Sequence, residues 1–361
     1  MLKSVKSTYK GKKVLVTGHT GFKGTWLVLW LKKLGAEVIG YALEPEDIRG
    51  NLYNIADIEG KGLLKSYIKD IRDIDSVNEV IKQNKPEIVF HLAAQPIVRK
   101  SYFDPIETFG TNVMGTANLL EAIRNIDSVK SVVVITSDKC YENMEQRRPY
   151  KEDDKLGGHD PYSSSKACAE LVVSSYRKSF FSDKTLLASA RAGNVVGGGD
   201  FAQDRLIPDI IESISKGESV NIRSPNAVRP WQHVLDVLWG YLILGSKLYN
   251  DDKSSDSAFN LSPVDENYVN VEQLTAKIIG SYGAGNYNIE NQGDKLHEMQ
   301  MLYLDSQKAI KELGWKPLLN IDDVIEFTCS WYKQHITNST DIYDFTIEQI
   351  NQYESIIKNT N

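Results

Sequence analysis

Short apolar runs bounded by turn residues alternate with amphipathic stretches through the first half of the chain. Residues 13–17 (Lys-Val-Leu-Val-Thr) read as a buried strand, and 22–34 as the helix after it. Further strands are predicted at 37–41, 66–69, 87–91 and 130–135, with a long helix at 107–125 before the last. Continuous apolar runs of this kind belong to strands covered on both faces of a parallel sheet. Their alternation with helices predicts an α/β fold with a doubly wound sheet and ligands at the strands' carboxyl ends. Beyond about residue 191, Gly197, Gly198, Gly199, Pro208, Pro225 and Pro230 punctuate the chain and helices dominate. They are predicted at 205–216, 231–249, 269–281, 306–313, 321–333 and 346–357. Two parts are therefore expected: a sheet domain over 1–190 and a smaller, mostly helical substrate domain over 191–361. The run 251–257 is a polar surface loop, and no internal repeat is visible.

Composition narrows the function classes. The 361 residues carry 42 Lys+Arg against 48 Asp+Glu, a net charge of −6, with 41% hydrophobic and 25% charged residues. That is an ordinary globular composition, able to bury a core without staples. Its mild acidity argues against nucleic acid as the main partner. No apolar run approaches the ~20 residues that span a bilayer, so no membrane partner is expected. Lys3, Lys6, Lys10, Lys12 and Lys13 precede no apolar segment of the kind a secretory signal needs. Three cysteines (Cys140, Cys168 and Cys329) suggest a reducing compartment, and the cytoplasm is the expected location. His91, His159, His297 and His335 show no metal-ligand spacing, and no metal is expected.

Three motifs carry candidate chemistry. Gly18, Gly21 and Gly24 lie between the first strand and its helix. A tight turn and close approach of backbone to a pyrophosphate both need glycine, and the helix N-terminus offers unpaired N–H groups to the anion. This reads as the dinucleotide site of a Rossmann-type sheet. His19, Thr20 and Phe22 lie in the same loop, where His19 is expected to contact the cofactor rather than act in catalysis. The acid that usually ends the second strand is not evident: the position falls near Tyr41, and the nearest acids are Glu44, Glu46 and Asp47. Charge therefore does not choose NAD over NADP. Asp70 and Ile71, after the third strand, form either an adenine seat or a plain strand-end turn.

Tyr162 and Lys166 are four residues apart, on one face of a helix. A nearby cation lowers a phenol pKa, so tyrosinate is expected as a base toward a sugar hydroxyl. Thr136 and Ser137 end a strand, where a hydroxyl can bond the same substrate oxygen. Asn194 follows another strand and can donate its amide to a diphosphate. Arg205 and Arg229 read as anion ligands or as surface ion pairs, and His233 as an anion ligand or a core histidine.

With these residues in place, the chain resembles the extended short-chain dehydrogenase/reductase family of NAD-dependent nucleotide-sugar epimerases and dehydratases. The resemblance rests on Thr17-Gly-His-Thr-Gly-Phe-Lys-Gly24, His91-Leu-Ala-Ala-Gln-Pro96, Thr136-Ser-Asp-Lys-Cys-Tyr141 and Leu156-Gly-Gly-His-Asp-Pro-Tyr162. Ala190-Arg-Ala-Gly-Asn194, Asp204-Arg-Leu-Ile-Pro-Asp209 and Arg229-Pro-Trp-Gln-His-Val234 extend it into the second half. It implies NAD as cofactor, with Leu92, Ala93 and Ala94 beside it and Gln95 toward the substrate. Related dehydratases place Thr-Asp-Glu where this chain has Ser137, Asp138 and Lys139. Ser137 then stands at the hydroxyl, Asp138 at the acid and Lys139 at the base. Lysine there is similar to the branch acting on CDP-sugars.

The resemblance therefore implies a 4,6-dehydratase reaction on CDP-glucose, with C4 oxidation, loss of water across C5 and C6, and hydride return to C6. It also implies deoxysugar biosynthesis for lipopolysaccharide O-antigen. A homodimer or homotetramer is implied as well, with helices near 107–125 and 167–181 pairing across a two-fold axis. A 4,6-dehydratase for another nucleotide hexose, a 4-epimerase and a catalytically silent NAD sensor remain as alternatives. Intact Tyr162, Lys166 and Ser137 argue against the sensor.

Overall fold

The computed structural model describes residues 1–46, 49–144, 148–181, 184–222, 224–263, 268–289 and 302–360. Asp47 and His297 lie outside them. Seven strands build the main sheet: β1 (Lys13–Thr17), β2 (Glu37–Ala42), β3 (Lys65–Ile68), β4 (Ile88–His91), β5 (Ser131–Ile135), β6 (Leu186–Ala192) and β7 (Ala258–Leu261). They run parallel in the order β7-β6-β5-β4-β1-β2-β3. The strand order reverses at β1, which pairs with β2 on one side and β4 on the other. A ligand crevice is expected above that switch point.

Both faces are covered, which explains the unbroken apolar runs. Along β1, Val14 and Val16 join one core and Leu15 the other. Helices Phe22–Lys33 and Val234–Tyr249 pack on the first face; Ile74–Asn84, Gly115–Arg124 and Pro161–Phe180 cover the second. Helix Phe22–Lys33 is buried all round from Gly24 to Leu31, because the C-terminal helix Ile342–Thr360 closes its outer side. No helix among the described residues is long and apolar enough to cross a membrane.

Several elements depart from the sequence pattern. Helix Leu2–Tyr9 precedes β1, burying Leu2, Val5 and Tyr9 while its lysines face outward. The expected helix over 107–125 is broken by a wider turn at Gly110–Met114, which aims Asn112 at Gln95 and Ser165. Helix Val234–Tyr249 starts three residues later than expected, because Gln232–His233 pairs with Val195–Val196 as a short ladder. The expected helix over 306–313 forms from 307, with the wider turn Ala309–Leu313 as its second part, stopped by Gly314 at φ +70°. β7 lies well past residue 191 yet returns to the sheet, so the sheet and C-terminal parts interleave along the chain.

Candidate active site

The glycine turn opens at the end of β1. Gly18 has φ +75°, and a Cβ there would lie 2.8 Å from the Ala93 nitrogen. A Cβ on Gly24 would lie 2.0 Å from the Gly18 oxygen. Glycine at both positions lets β4 and the first helical turn close onto the loop. Gly21 caps helix Phe22–Lys33 without a side-chain bond, so its first-turn N–H groups remain for an anion. Thr20 donates to the Leu43 carbonyl at 3.0 Å, and Phe22 stands half-buried near Gly197. Leu92, Ala93 and Ala94 border the turn: Leu92 N–H donates to the Thr17 carbonyl and Ala93 N–H to the Thr17 hydroxyl. This cradle fits a dinucleotide pyrophosphate.

Three residues expected at the cofactor have partners within the chain. The His19 ring is closed to solvent, hydrogen-bonded to the Ser66 hydroxyl at 2.8 Å and packed edge-on against Tyr53. Burial depresses its pKa to about 4, so it is a neutral wedge over Gly40 and leaves only its backbone to the loop. Both Asp70 oxygens are held by Arg72, which keeps that carboxyl below its usual range. The Ile71 side chain turns into the core, where a Cβ on Gly115 would touch it. No acid ends β2; Ala42, Leu43 and Glu44 follow one another there.

The carboxyl ends of β5 and β6 carry the second cluster. Ser137 caps a single tight turn, Asp138–Cys140, so its hydroxyl accepts from Lys139 N–H and donates to the Asp138 carboxylate at 2.9 Å. That hydroxyl also faces the Tyr162 phenol and lowers its pKa. Asp160 caps helix Pro161–Phe180 through the Ser163 N–H, placing Tyr162 in its first turn and Lys166 one turn later. Asp138, Tyr162 and Lys166 are all buried, and Lys139 is half-buried. Burial raises the Asp138 pKa, favouring the protonated acid expected of it.

The expected tyrosinate near neutral pH is not what the chain alone provides. Burial and the Asp138 charge lift Tyr162 to about 12, against which Ser137 and Arg205 act. Lys166 falls to about 8, chiefly through burial. A residue the motif reading passed over joins the cluster: Lys23, in the first turn after Gly21. Burial, Arg205 and Lys166 depress its ammonium to about 7, while Asp138 and Asp200 oppose the shift. A lysine one turn before the apolar run 26–31 was the available signal.

On the substrate side, Asn194 is half-buried with no side-chain hydrogen-bond partner among the described residues, and its carbonyl accepts from Gln232 N–H. Arg205 pairs with Asp200 at 2.7 Å and acts on Tyr162 and Lys23. Arg229 acts on Asp138 from the strand Val228–Pro230. Gln95, expected toward the substrate, and His233, read as an anion ligand or a core histidine, are both engaged within the fold. Gln95 is buried: its amide donates to Thr108, its oxygen accepts from Ile97 N–H, and it holds the loop to Asn112. His233 is fully buried between Trp26 and Phe327, capping helix Val234–Tyr249 through Leu235 N–H. Burial drops its pKa to about 3, so it offers an anion no charge.

A glycine turn at a sheet switch point, facing a buried Tyr–Lys pair and a Ser–Asp strand end, defines an extended short-chain dehydrogenase/reductase. More narrowly, the chain belongs to the GDP-mannose 4,6 dehydratase family, whose model matches residues 15–328. It is 46% identical over 337 residues to a CDP-glucose 4,6-dehydratase of Salmonella typhimurium, covering 92% of this chain and 93% of that one. It is 28% identical to a UDP-glucose 4-epimerase of Lactobacillus helveticus, covering 90% of this chain and 98% of that one. The fold matches a dTDP-glucose 4,6-dehydratase from Bacillus anthracis in complex with NAD, with a TM-score of 0.76 and 21% identity. That match covers 91% of this chain and 98% of the other.

Proposed function

We propose that the chain is an NAD-dependent hydro-lyase that converts CDP-glucose to CDP-4-dehydro-6-deoxy-glucose and water. The observation that carries this reading is the convergence of Ser137, Asp138, Tyr162 and Lys166 beside the glycine turn. The 46% identity to a CDP-glucose 4,6-dehydratase supports the choice of nucleotide. Among the described residues that directly follow β2, Leu43, Glu44 and Glu46, none is a cation that could hold a 2′-phosphate, which favours NAD over NADP.

When bound, NAD accepts a hydride and later gives it back. Tyr162 takes the proton of the 4-hydroxyl as C4 is oxidised, with Ser137 bonding the same oxygen. The new ketone acidifies the C5 proton, which Lys139 removes. Asp138, biased by burial toward its protonated form, gives its proton to the 6-hydroxyl, which leaves as water. Hydride then enters at C6 and Lys139 returns a proton to C5. Tyr162 ends with a proton and Asp138 without one, and exchange with solvent resets both. Lys23, Arg205, Arg229 and Asn194 hold the diphosphates. In this reading the sheet part binds NAD and the segments from 191 to 361 bind the sugar nucleotide.

The finer expectations have their own support. Phe103 and Ile106 are 85% and 81% exposed just before the first helix expected to pair, and Met114, Leu171 and Phe180 are exposed on the two helices themselves. A homodimer covering these side chains is the assembly proposed, with a homotetramer as its doubling. A cytoplasmic place in deoxysugar biosynthesis follows from the activity. The test incubates the protein with CDP-glucose deuterated at C4. Label recovered at C6 of a 4-keto product supports the reading. An inverted C4 hydroxyl without water loss refutes it in favour of an epimerase, and turnover of another nucleotide glucose alone refutes the CDP assignment.

A further inference from the structure

Directly beneath the candidate site lies a buried ion pair that the reaction above does not use. Glu170 stands one helical turn beyond Lys166 on helix Pro161–Phe180, and Arg191 lies on β6. Their side chains are 3% and 4% exposed and meet at 2.7 Å. Every carboxylate oxygen is engaged: one accepts from the Thr136 hydroxyl at 2.5 Å, the other from Ser189 at 2.8 Å and from Arg191. Arg191 continues the network, donating to the Tyr141 hydroxyl at 2.7 Å and the Glu152 carbonyl at 3.0 Å. Tyr141 in turn donates to Asn260 on β7.

A buried ion pair is a weak device for stability, since apolar residues of the same volume commonly do as well. Its position here points to another use. Thr136 is the residue before Ser137, and Tyr141 follows the turn that carries Asp138 and Lys139. Glu170 thus grips the active-site edge at one end and Arg191 at the other. The charged and titratable groups facing Lys166 are Tyr162 and Glu170 from its own helix, Cys140 from the turn, Lys23 from helix Phe22–Lys33 and His91 from β4. Asp138 and Arg191 complete the surroundings through Lys23 and Cys140. Burial holds the Cys140 thiol protonated and His91 neutral, and Lys23 repels. The carboxylate on the Lys166 stripe is Glu170.

We propose that Glu170, braced by Arg191, is a positioning residue of this site: it keeps the Lys166 ammonium charged from one turn below and fixes the strand end that presents Ser137. The proposal rests on the dehydratase reading for its activity arm only. Glu170→Gln keeps the shape, removes the negative charge and leaves the Arg191 cation uncompensated. Glu170→Asp keeps the charge and withdraws from Thr136, and Glu170→Gln with Arg191→Met removes both charges.

The titration of Lys166 is read in the cofactor-free protein, by competitive labelling with acetic anhydride from pH 6 to 10 and peptide mass spectrometry. The pH profile of C4 oxidation of CDP-glucose is read in parallel. Glu170→Gln should lower the labelling midpoint and the alkaline limb together, by about one pH unit or more. Glu170→Asp should keep the wild-type midpoint while slowing C4 oxidation, and the double variant should move the midpoint back toward wild type. A folded Glu170→Gln protein with the wild-type midpoint overturns the proposal. So does an equal shift in Gln and Asp variants, since charge is then not the agent. If Glu170→Gln does not fold, a double variant that titrates no lower than Glu170→Asp overturns it instead. Wild-type protein inert toward CDP-glucose would refute the dehydratase reading and leave the labelling arm intact.

Discussion

Replacing Lys23 by methionine should stabilise the ligand-free protein, and only on the acid side. Lys23 shares the crevice with Arg205 and Lys166, and burial with their repulsion lowers its ammonium from 10.5 to about 7. The unfolded chain binds that proton below about 10.5, whereas the folded chain binds it only below about 7. Folding stability therefore falls as pH drops from the first value to the second, and the loss is complete below 7. At 1.36 kcal/mol per unit, 3.5 units set a ceiling of about 5 kcal/mol. Lys23 is only half-buried, and solvent screening brings the expected gain to about 1–3 kcal/mol. In a chain of this size that corresponds to about 2–5 °C in Tm. Thermal unfolding followed by tryptophan fluorescence at pH 6 and at pH 10, without ligand, measures it. The Met variant should melt higher at pH 6 and match wild type near pH 10. An equal gain at both values would mean only that methionine packs better, and no gain at pH 6 would mean the site does not penalise the charge.

Four further outcomes follow from the same geometry. Tyr162→Phe should abolish appearance of bound reduced cofactor at 340 nm on adding CDP-glucose, whereas Asp138→Asn should let it accumulate while product formation drops about 10²–10⁴-fold. Lys139→Met should retain C4 oxidation and lose exchange of the C5 proton with deuterated solvent, measured by NMR of the sugar. Gly193→Ala places a Cβ 3.2 Å from the Asp138 Oδ2 and 2.8 Å from the Pro230 Cγ, so dehydration should slow about 10–100-fold with C4 oxidation preserved in stopped flow. Asp236→Ala removes the acceptor of Leu318 N–H, Leu319 N–H and the Tyr353 hydroxyl, and should cost about 3–5 kcal/mol in urea unfolding at pH 7.

The sheet was legible because its strands are buried on both faces. A run such as Lys-Val-Leu-Val-Thr at 13–17 needs two covering layers, and its alternation with helices leaves a doubly wound sheet as the natural solution. β7 was not legible: four residues after a polar loop carry no period, and their pairing with β6 spans some seventy positions of chain. Helix Leu2–Tyr9 carries a faint signal, apolar residues at 2, 5 and 9 between lysines, which the charge of that segment masks. Sequence placed the backbone of the site better than its side chains. His19, Gln95 and His233 all sit in motifs at ligand-facing strand ends, yet each turns inward to bond Ser66, Thr108 or Leu235. A motif fixes where a residue is along the chain; which way a polar side chain points depends on partners tens or hundreds of residues away. Ser137, Asp138, Tyr162 and Lys166 escaped that ambiguity, because a capped turn and one helix face fix their directions locally.

The charge balance of the crevice explains why a molecule of net charge −6 suits two anionic diphosphates. Lys23, Lys139, Lys166, Arg205 and Arg229 gather around Asp138 and Asp200, so the local balance opposes the global one. Asp200 is tied to Arg205 at 2.7 Å and burial biases Asp138 toward its neutral form, which leaves the cations in excess. Low-dielectric walls concentrate such a field at the sheet edge, while the acidic exterior repels anions elsewhere. The same excess makes the ligand-free site electrostatically uncomfortable, as the Lys23 ammonium records, depressed by burial and then by Arg205 and Lys166. Diphosphate binding relieves that repulsion. Raising the Lys23 pKa also adds a charged ammonium to the crevice in which Tyr162, lifted to about 12 by burial, must give up its proton. Binding and activation of the base are thus one electrostatic event.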